Sequence, residues 1–589
     1  MFRRFADQFT LDFFRARLAS VDALPQLAFL ALVTGMITGV VILLFRISIE
    51  YALDQFLDGH NENFEGLSTA LLFFIPLVGA TLLGVAFSFI PAQDARVGIV
   101  HVLERLGSHQ GHLPLKNALV QFAGGALALI SGQSGGREGP AIHLGAAASS
   151  LLGQAFKLPN NSIRTLVACG AAAAIAGSFN TPVAGVIFAM EVIMMEYSIA
   201  SFIPVIIAAV TTTLITRITY GADPAFIVPQ LSMESLVEIP YVIVAGVIIG
   251  TVASGFIVLM KNFAKLNKLP YWQRGIIAGL ITGTAAVLSP AVLGIGYDTV
   301  NAAMLGQLSF SMLATLVVLK IIASSAFVGL GFPAGIIGPT LVTGASLGGI
   351  LGLIIAGIIP DHAAAAGFYV MLGMCAMMAA VMQAPLAALM TVLELTANPN
   401  IILPAMLIIV TATMTTSELF KQKSIVLTTL QTLGLQYPPD PVSLHLQRAA
   451  VASVMRRDFV LLNQHTSVGE AQQALEDNPG LIVVLVDAEP HCILAARDLV
   501  LHLDALADEG STDEHEPGDT VLDLMELPGN RQDLAFIGIQ ATLLEAVQEL
   551  ENSGLEALCI TRASAPMINP VAGILTPHEI DLYSHTPAA

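Results

Sequence analysis

Long stretches without charge, separated by short polar breaks, occupy the first 435 residues of the chain. Four of them are long enough to cross a membrane as single helices: residues 27–45, 67–93, 239–260 and 275–297. A longer stretch, residues 321–360, is interrupted by glycine and proline. The pattern predicts several membrane-spanning helices together with discontinuous helices buried inside the bundle.

This apolar region is duplicated. A shift of 199 positions carries Gly136, Gly139 and Pro140 onto Gly335, Gly338 and Pro339. A shift of 203 positions carries the segment 182–191 onto 385–394, and each segment ends in glutamate. Paired segments interrupted by glycine and proline point to a substrate site between two structural repeats.

The stretch 131–145 combines this glycine-rich pattern with charge. Arg137 and Glu138 stand side by side in it, and Pro140 suits the first turn of a helix. A helix N-terminus binds anions, and the Glu138 carboxylate is a tethered anion placed where a free one would lie. The alternative is an ordinary turn in which Arg137 and Glu138 pair with each other.

The motifs Gly136-Arg-Glu-Gly-Pro140 and Gly331-Phe-Pro-Ala-Gly-Ile-Ile-Gly-Pro339, with the segment 182–191, closely resemble the CLC family of chloride channels and proton-coupled chloride transporters. The resemblance covers roughly residues 20–435. It implies an all-α polytopic membrane domain built from an inverted repeat, with halves of about 21–220 and 235–435, that forms a homodimer with one pore in each subunit. It also implies that Glu138 is the gate and that chloride is bound by the following residues: Gly98, Ile99, Gly136, Arg137, Gly139, Ile336 and Ile337.

Three positions depart from the family pattern. Counting back from Glu138 places Val97 on the serine whose hydroxyl coordinates the central anion in the family. Val192 stands where proton-coupled members carry an inward-facing glutamate, and Glu196 is the nearby substitute. Val426 stands where the family has an inner tyrosine. The expected inner gate is therefore apolar at two positions, Val97 and Val426.

Four further ionisable residues of the membrane region are candidates for a role in transport or in structure. His101 and His143 could relay protons near neutral pH, although a hydrogen-bonded structural role is the commoner one for a buried histidine. Glu191 and Glu394 end the two copies of the duplicated segment. Their duplication favours a shared structural task, such as tying a helix end to a neighbouring loop.

Composition supports a membrane protein with an acidic tail. Hydrophobic residues make up 55% of the 589 and charged residues 12%. Most of the net charge of −19 comes from the part after Lys423, which argues against nucleic acid and anionic lipid as partners.

The four cysteines have no metal-ligand spacing and are expected to be packing residues. Basic residues near the N-terminus predict an amphipathic cytoplasmic helix over residues 1–20.

The tail contains a second duplication. Glu470 and Ala471 recur at a shift of 75 as Glu545 and Ala546, each in a helix that leads into an apolar strand. This order resembles a tandem pair of CBS domains, an α/β cytoplasmic module known for binding adenine nucleotides. The resemblance makes Asp498 and Glu579 the residues that would hold a ribose hydroxyl. The expected segments of the chain are a helix over 1–20, a membrane domain over 21–435, a linker over 436–447, a first CBS domain over 448–507, an acidic loop over 508–520 and a second CBS domain over 521–589.

The leading hypothesis is therefore chloride transport across a bilayer, gated by Glu138, in a channel or a weakly coupled carrier. The alternatives are a proton-coupled chloride antiporter and, from another class, a divalent-cation transporter regulated by CBS domains. A cation transporter would need clustered carboxylates, which the scattered glutamates do not supply. No nucleophile and base accompany the glycine-rich turn, so we expect no enzyme activity, and we expect no metal and no resident cofactor. The expected location is a bacterial inner membrane, with both termini cytoplasmic.

Overall fold

A computed structural model of the chain describes residues 18, 23–57, 64–197, 199–222, 226, 232–233, 235–360, 364–435, 441–509, 521–562 and 571–585. The chain divides into two compact units, and the larger consists of residues 27–156 and 163–438. The smaller unit includes residues 439–589. The expected helix over 1–20 and acidic loop over 508–520 lie almost entirely outside the described residues and stay predictions.

The larger unit is helical, and its first half contains eight helices that follow the apolar pattern. They are α1 (Leu24–Phe56), α2 (Thr69–Ser88), α3 (Gly98–Ser108), α4 (Leu115–Ile130), α5 (Glu138–Ala155), α6 (Asn160–Phe179), α7 (Pro182–Phe188) and α8 (Ile199–Tyr220). Helix α7 continues as a π-helical turn over Ala189–Met194.

The second half repeats this order. Its helices are α9 (Ile239–Ala264), α10 (Tyr271–Leu288), α11 (Tyr297–Met304), α12 (Phe310–Gly329), α13 (Ile337–Ile358), α14 (Ala366–Met382), α15 (Pro385–Thr396) and α16 (Ile402–Met414), and α17 (Ile425–Thr432) follows. The shift of 199 relates the start of α3 to that of α11 and the start of α5 to that of α13. The expected duplication of discontinuous helices is confirmed.

Eight helices of the described part are long and apolar enough to cross a membrane. The expected spans 27–45, 67–93 and 239–260 correspond to three of these helices, α1, α2 and α9, whereas 275–297 overlaps α10, which is not one of the eight. The long stretch 321–360 is broken where predicted, because α12 ends at Gly329 and α13 begins at Ile337. The break places the start of α13 inside the protein, where Ile337 is 1% exposed.

The helices that follow the two buried breaks pack tightly on their neighbours. A Cβ atom at Gly145 of α5 would lie 2.3 Å from the Gly170 carbonyl oxygen of α6. In the second half, a Cβ atom at Gly344 of α13 would lie 2.4 Å from the Gly373 carbonyl oxygen of α14. Only glycine allows these backbones to approach so closely, which is the usual device for packing helices in membranes.

The tail is an α/β unit with repeated order. Its six-stranded sheet has the order β1 (Phe459–Asn463), β3 (Leu481–Val486), β4 (Glu489–Ala495), β6 (Arg531–Gly538), β7 (Ala557–Thr561) and β8 (Val571–Leu575). The short strands β2 (His465–Ser467) and β5 (Val521–Asp523) pair separately. The helices are α18 (Pro441–Arg448), α19 (Val451–Val454), α20 (Val468–Leu475), α21 (Ala496–Glu509), α22 (Leu543–Ser553) and α23 (Pro577–His585).

The repeat in the tail is also visible in its helix caps. Ser467 and Glu470 form a capping box at the start of α20, and Thr542 and Glu545 form the equivalent box at α22. Within the expected linker over 436–447, helix α18 begins at Pro441. Leu446 of α18 packs in one core with Leu558 and Ile580 of the second copy. In sequence, however, Leu446 precedes the expected start of the first CBS domain at residue 448.

Candidate functional site

Two glycine loops meet at the centre of the larger unit. The N–H of Gly136 donates to the Gly335 carbonyl at 2.8 Å, and the N–H of Gly335 donates to the Gly136 carbonyl at 2.7 Å. This antiparallel bridge joins the loops that lead into α5 and α13. The buried N-termini of two helices from opposite repeats therefore lie side by side, each presenting unpaired N–H groups and a partial positive charge.

The Glu138 side chain lies where these helix ends meet. It is fully buried, and its carboxylate accepts a hydrogen bond from the Tyr297 hydroxyl at 2.6 Å on Oε1. The N–H of Gly338, in the first turn of α13, donates to Oε2 at 3.3 Å. A Cβ atom on Gly136 would lie 1.9 Å from Oε2, so the carboxylate rests against a position that only glycine leaves open.

The sequence did not point to Tyr297. This residue opens α11 directly after Gly296, whose φ of 84° favours glycine. The internal shift of 199 was a usable signal, because it carries Val97 and Gly98 onto Gly296 and Tyr297. Applied to the whole repeat, it would have placed the start of α11 at the same site as α3.

Several of the expected anion ligands have their donors engaged elsewhere. The N–H of Gly136 is used in the bridge to Gly335, and the N–H of Gly98 donates to Gln121 Oε1 at 2.7 Å. The Arg137 guanidinium donates to the Ser178 carbonyl at 3.1 Å. The N–H groups of Gly136 and Gly98 therefore meet acceptors of the chain itself, and the roles of these residues as anion ligands stay predictions.

The remaining expected ligands are buried at helix starts. Ile99 lies in the first turn of α3, while Ile336 and Ile337 open α13 with exposures of 5% and 1%. Gly139, in the first turn of α5, packs against Gly335, where an added Cβ atom would lie 2.6 Å from its Cα. Their roles as anion ligands stay predictions, and the sequence missed Gly338, one residue beyond the expected pair.

The three departures from the family pattern are apolar in the structure too. Val97 is the residue before α3, and its side chain provides no cap hydrogen bond. Val192 and Val426 are each 4% exposed. Glu196, the suggested substitute for the missing glutamate, follows the left-handed Met195 that ends the π-helical turn, and its N–H donates to the Met190 carbonyl.

The structure brings the two membrane histidines together. Nδ1 of His101 lies 2.8 Å from Nε2 of His143, and the rings stack with centroids 5.1 Å apart. They are 3% and 0% exposed. This pairing joins α3 to α5, one turn beyond Glu138. Each histidine thus has a hydrogen-bond partner, as a structural role requires.

Glu191 and Glu394 cap helices of the opposite repeat. The Glu191 carboxylate accepts the N–H groups of Leu386 and Ala387 at 3.3 and 2.7 Å, at the start of α15. The Glu394 carboxylate accepts those of Val183 and Ala184 at 3.1 and 2.7 Å, at the start of α7. The expected structural task is confirmed, with helix N-termini as the groups that are tied down.

A buried lysine supports the segment that leads into Tyr297. Lys320 of α12 is fully buried and donates to the carbonyls of Val292 and Gly294, at 2.9 Å each. The N–H of Gly294 in turn donates to the Gly132 carbonyl at 3.3 Å. The cation thus holds the turn before α11, and no motif in the sequence indicated it.

The two tail residues expected to hold a ribose lie at strand-to-helix turns, as predicted. Glu579 accepts hydrogen bonds from the N–H of Thr576, at 3.0 Å, and from its hydroxyl, so its carboxylate caps its own helix. Asp498 lies in the first turn of α21, where a Cβ atom on Gly529 would approach its Oδ2 to 2.9 Å. Nearby, a hydrogen bond from Arg456 lowers the pKa of Asp458.

The four cysteines were expected to be packing residues. All four are buried and unbridged. Burial raises the pKa of the Cys559 thiol to about 11 and also raises that of Cys492. Within the residues that the structure describes, no group of three histidine, cysteine, aspartate or glutamate side chains could hold a metal ion.

Residues 78–417 match the family model described as voltage gated chloride channel. The chain is 32% identical over 303 residues to a protein of Salmonella typhimurium named voltage-gated ClC-type chloride channel ClcB, which covers 51% of this chain and 72% of the relative. It is 32% identical over 305 residues to a protein of Yersinia pestis named H(+)/Cl(-) exchange transporter ClcA, with coverages of 50% and 64%.

Solved structures share the fold. A slow cyanobacterial Cl⁻/H⁺ antiporter aligns with a TM-score of 0.63 at 23% identity, over 70% of this chain and 98% of the other. A eukaryotic CLC transporter aligns with a TM-score of 0.56 at 16% identity, over 94% of this chain and 97% of the other. At these identities the likeness concerns the fold alone.

Proposed function

The chain belongs to the voltage-gated chloride channel family, also called CLC, and we propose that it carries chloride across a membrane through a pathway that the Glu138 carboxylate closes. The proposal rests on one observation. A buried carboxylate occupies the meeting point of two helix N-termini and accepts a hydroxyl and an N–H there. Such an end favours any anion, so a chloride ion and this side chain compete for the same place.

The pathway opens when the carboxylate leaves or loses its charge. An ionised carboxylate without donors is costly at this depth, and the Tyr297 hydroxyl and the Gly338 N–H supply donors to Glu138. A proton removes the charge that excludes chloride, and the neutral side chain then competes poorly for the positive helix ends. Chloride in turn disfavours the return of the carboxylate. Acid and chloride therefore act on one gate.

The leading form of this proposal is a channel or a weakly coupled carrier, and the alternative is proton-coupled exchange. Val192 and Val426 remove the second glutamate and the inner tyrosine that the family pattern supplies. The similarity to a protein named H(+)/Cl(-) exchange transporter supports the alternative. In that case Glu196 or the His101–His143 pair would have to carry the proton beyond Glu138.

A divalent-cation pathway has less support. Three of the buried or half-buried glutamates are each engaged at a different helix end: Glu138 at α13, Glu191 at α15 and Glu394 at α7. Three separate carboxylates do not make the oxygen cage that a hard cation requires. The same arrangement suits a pathway for anions.

Three further features belong to this proposal. We expect a homodimer with one pore in each subunit, in a bacterial inner membrane with both termini cytoplasmic. Cross-linking in lipid should return dimers, and a product that stays monomeric at every protein-to-lipid ratio would count against this assembly. The repeated tail, with its six-stranded sheet, supports the assignment of a tandem CBS pair.

Adenine nucleotide is the ligand that such a tail would take. The Glu579 carboxylate lies at the expected turn, although Oε2 already accepts from Thr576. Calorimetry of the full chain with ATP, ADP and AMP should show binding that Glu579→Gln weakens. Heat that is equal in the parent and the variant would remove Glu579 from the site, and no heat with any nucleotide would leave the tail an assembly role.

Reconstituted protein tests the transport proposal and separates its two forms. Liposomes loaded with chloride should release it when a potassium ionophore supplies the counter-charge, and empty liposomes should not. The reversal potential is then measured under a proton gradient at equal chloride on both sides. A potential of zero supports the channel, a shift toward the proton equilibrium potential supports exchange, and the absence of chloride flux contradicts both.

A further inference from the structure

Tyr297 forms the shorter of the two hydrogen bonds to the gate. Its hydroxyl lies 2.6 Å from Oε1 of Glu138, whereas the N–H of Gly338 lies 3.3 Å from Oε2. The two donors thus take different oxygens of one carboxylate. A hydrogen bond from a hydroxyl to an ionised carboxylate is among the stronger ones in proteins, and it weakens when the acceptor is neutral.

The ring that carries this hydroxyl is held from several sides. Phe226, which is 1% exposed, contacts it edge-on with centroids 5.3 Å apart, and Phe179 lies at 6.1 Å. The Arg137 guanidinium lies 5.7 Å from the ring centroid. Phe179 ends α6 and Arg137 precedes α5, so first-repeat residues fix the orientation of a second-repeat tyrosine.

The backbone beneath the ring is anchored as well. Lys320 holds the carbonyls of Val292 and Gly294, and Gly294 is bonded to Gly132 of the first glycine loop. Tyr297 follows Gly294 by three residues and begins a helix. Since ring and backbone are both fixed, the hydroxyl is directed at the gate without further ordering of the side chain.

We propose that Tyr297 is a latch: a positioning residue that sets how strongly the Glu138 carboxylate competes with chloride. This inference rests on the proposed function of Glu138 as the gate. A carboxylate can use the hydroxyl and the Gly338 N–H at once, one with each oxygen, whereas a chloride ion would have to bridge them. The hydroxyl therefore favours the closed gate over the bound anion.

Loss of the hydroxyl should raise chloride affinity. A hydrogen bond to a charged group corresponds to roughly a tenfold or larger change in an equilibrium constant. In Tyr297→Phe the ring packing is retained, so we expect the chloride dissociation constant to fall about tenfold, and chloride flux to reach half-saturation at a correspondingly lower concentration. With Glu138→Ala there is no carboxylate to latch, and adding Tyr297→Phe should change neither quantity.

The chain offers a matched control. Tyr369 is 1% exposed, and its hydroxyl donates to the buried Glu238 carboxylate at 2.7 Å, which joins α14 to the turn before α9. Tyr369→Phe removes the same type of bond without touching Glu138. Chloride binding in Tyr369→Phe should match that of the parent.

The experiment is titration calorimetry with chloride on the purified full chain in detergent, together with chloride flux in liposomes, for the parent, Tyr297→Phe, Glu138→Ala, the double variant and Tyr369→Phe. The latch requires tighter binding in Tyr297→Phe and no effect of Tyr297→Phe on the Glu138→Ala background. Equal binding in the parent and Tyr297→Phe overturns it. So does the same change in both backgrounds, which would make the hydroxyl a direct chloride ligand or a general structural group.

The outcome for the proposed function is read separately. Glu138→Ala alone should bind chloride more tightly than the parent, whatever Tyr297 does. If it binds chloride no better, the gate itself fails, whereas a failed latch leaves that result in place. Should Tyr297→Phe fold poorly, Tyr297→Leu, which is apolar and has no hydrogen-bond donor on its side chain, provides a second comparison in both backgrounds and has the same required outcomes.

Discussion

The hydroxyl of Tyr297 donates to the carboxylate of Glu138 at 2.6 Å, across 159 positions of sequence. Glu138 opens α5 in the first repeat and Tyr297 opens α11 in the second. The bond therefore ties the two repeats together at the point where their helix N-termini meet. A gate built this way depends on both halves of the duplication, although only one half carries the charged motif.

Replacing Gly136 by alanine should open the gate without removing the carboxylate. The added Cβ atom would lie 1.9 Å from Glu138 Oε2, so the flexible end of that side chain has to move away from the Gly338 N–H. We expect higher chloride flux at neutral pH and a weaker response to acid in the liposome assay. Gly255→Ala is the control, because nothing lies within 4 Å of its added Cβ atom. Parent-like flux in Gly136→Ala would mean that the carboxylate position does not limit transport.

The histidine pair should matter for stability and little for the pH response. Replacing His143 by leucine leaves His101 Nδ1 without the partner that lies at 2.8 Å, and an unsatisfied buried polar group costs about 1–3 kcal/mol. Thermal unfolding in detergent should show this loss. The pH dependence of chloride flux should persist, because Glu138 is intact. A pH response that disappears in His143→Leu would instead support a proton relay through the pair.

The reciprocal caps should act equally. A glutamine at position 191 or 394 presents one amide NH₂ to a helix end that offers only donors. Each of the variants Glu191→Gln and Glu394→Gln is therefore expected to lose about 0.5–2 kcal/mol of stability, the usual range for a helix cap. Glu489→Gln, at an exposed position of the tail, is the neutral control. Abolished chloride flux in one well-folded cap variant would show that the carboxylate serves transport itself.

The tail thiols should resist alkylation in the native protein. Burial favours the neutral thiol over the thiolate, which raises the pKa of Cys559 to about 11, so raising the pH from 7 to 9 should produce little reactive thiolate. Iodoacetamide labelling of the native full chain, mapped by mass spectrometry, should spare Cys559 and Cys492. Both should label after denaturation. Rapid native labelling of Cys559 would show that the sheet around it opens.

The repeat and the gate could be predicted because short sequence motifs mark them. Glycine and proline mark the breaks before α5 and α13, and the charged pair at Arg137 and Glu138 stands out in an apolar stretch. The duplicated positions of Glu191 and Glu394 predicted that both residues share a structural task. Their partners, the N-termini of the opposite repeat, depend on how the two halves pack.

The remaining parts of the site depend on tertiary structure. Tyr297 has no motif around it, and its approach to Glu138 follows from the turn that Lys320 holds. Gly98 and Gly136 were expected to face an anion, but their N–H groups are used by Gln121 and Gly335. A sequence shows which residues have donors, whereas packing decides which acceptors they meet. The expected linker includes Pro441 as a break, although proline also suits a helix start, and α18 begins there.

The central claim, that the charge on Glu138 closes the chloride pathway, is tested most directly by the pH response of chloride flux in Glu138→Gln. Flux into liposomes is measured from pH 4 to pH 8 for the parent, for Glu138→Gln and for Glu238→Gln, which alters another fully buried carboxylate bonded to a tyrosine. Acid should raise flux in the parent and in Glu238→Gln, with a midpoint that shifts as chloride is varied. Glu138→Gln should conduct chloride at a high rate that is nearly independent of pH. A Glu138→Gln protein that kept the full pH response of the parent would contradict the assignment of the gate.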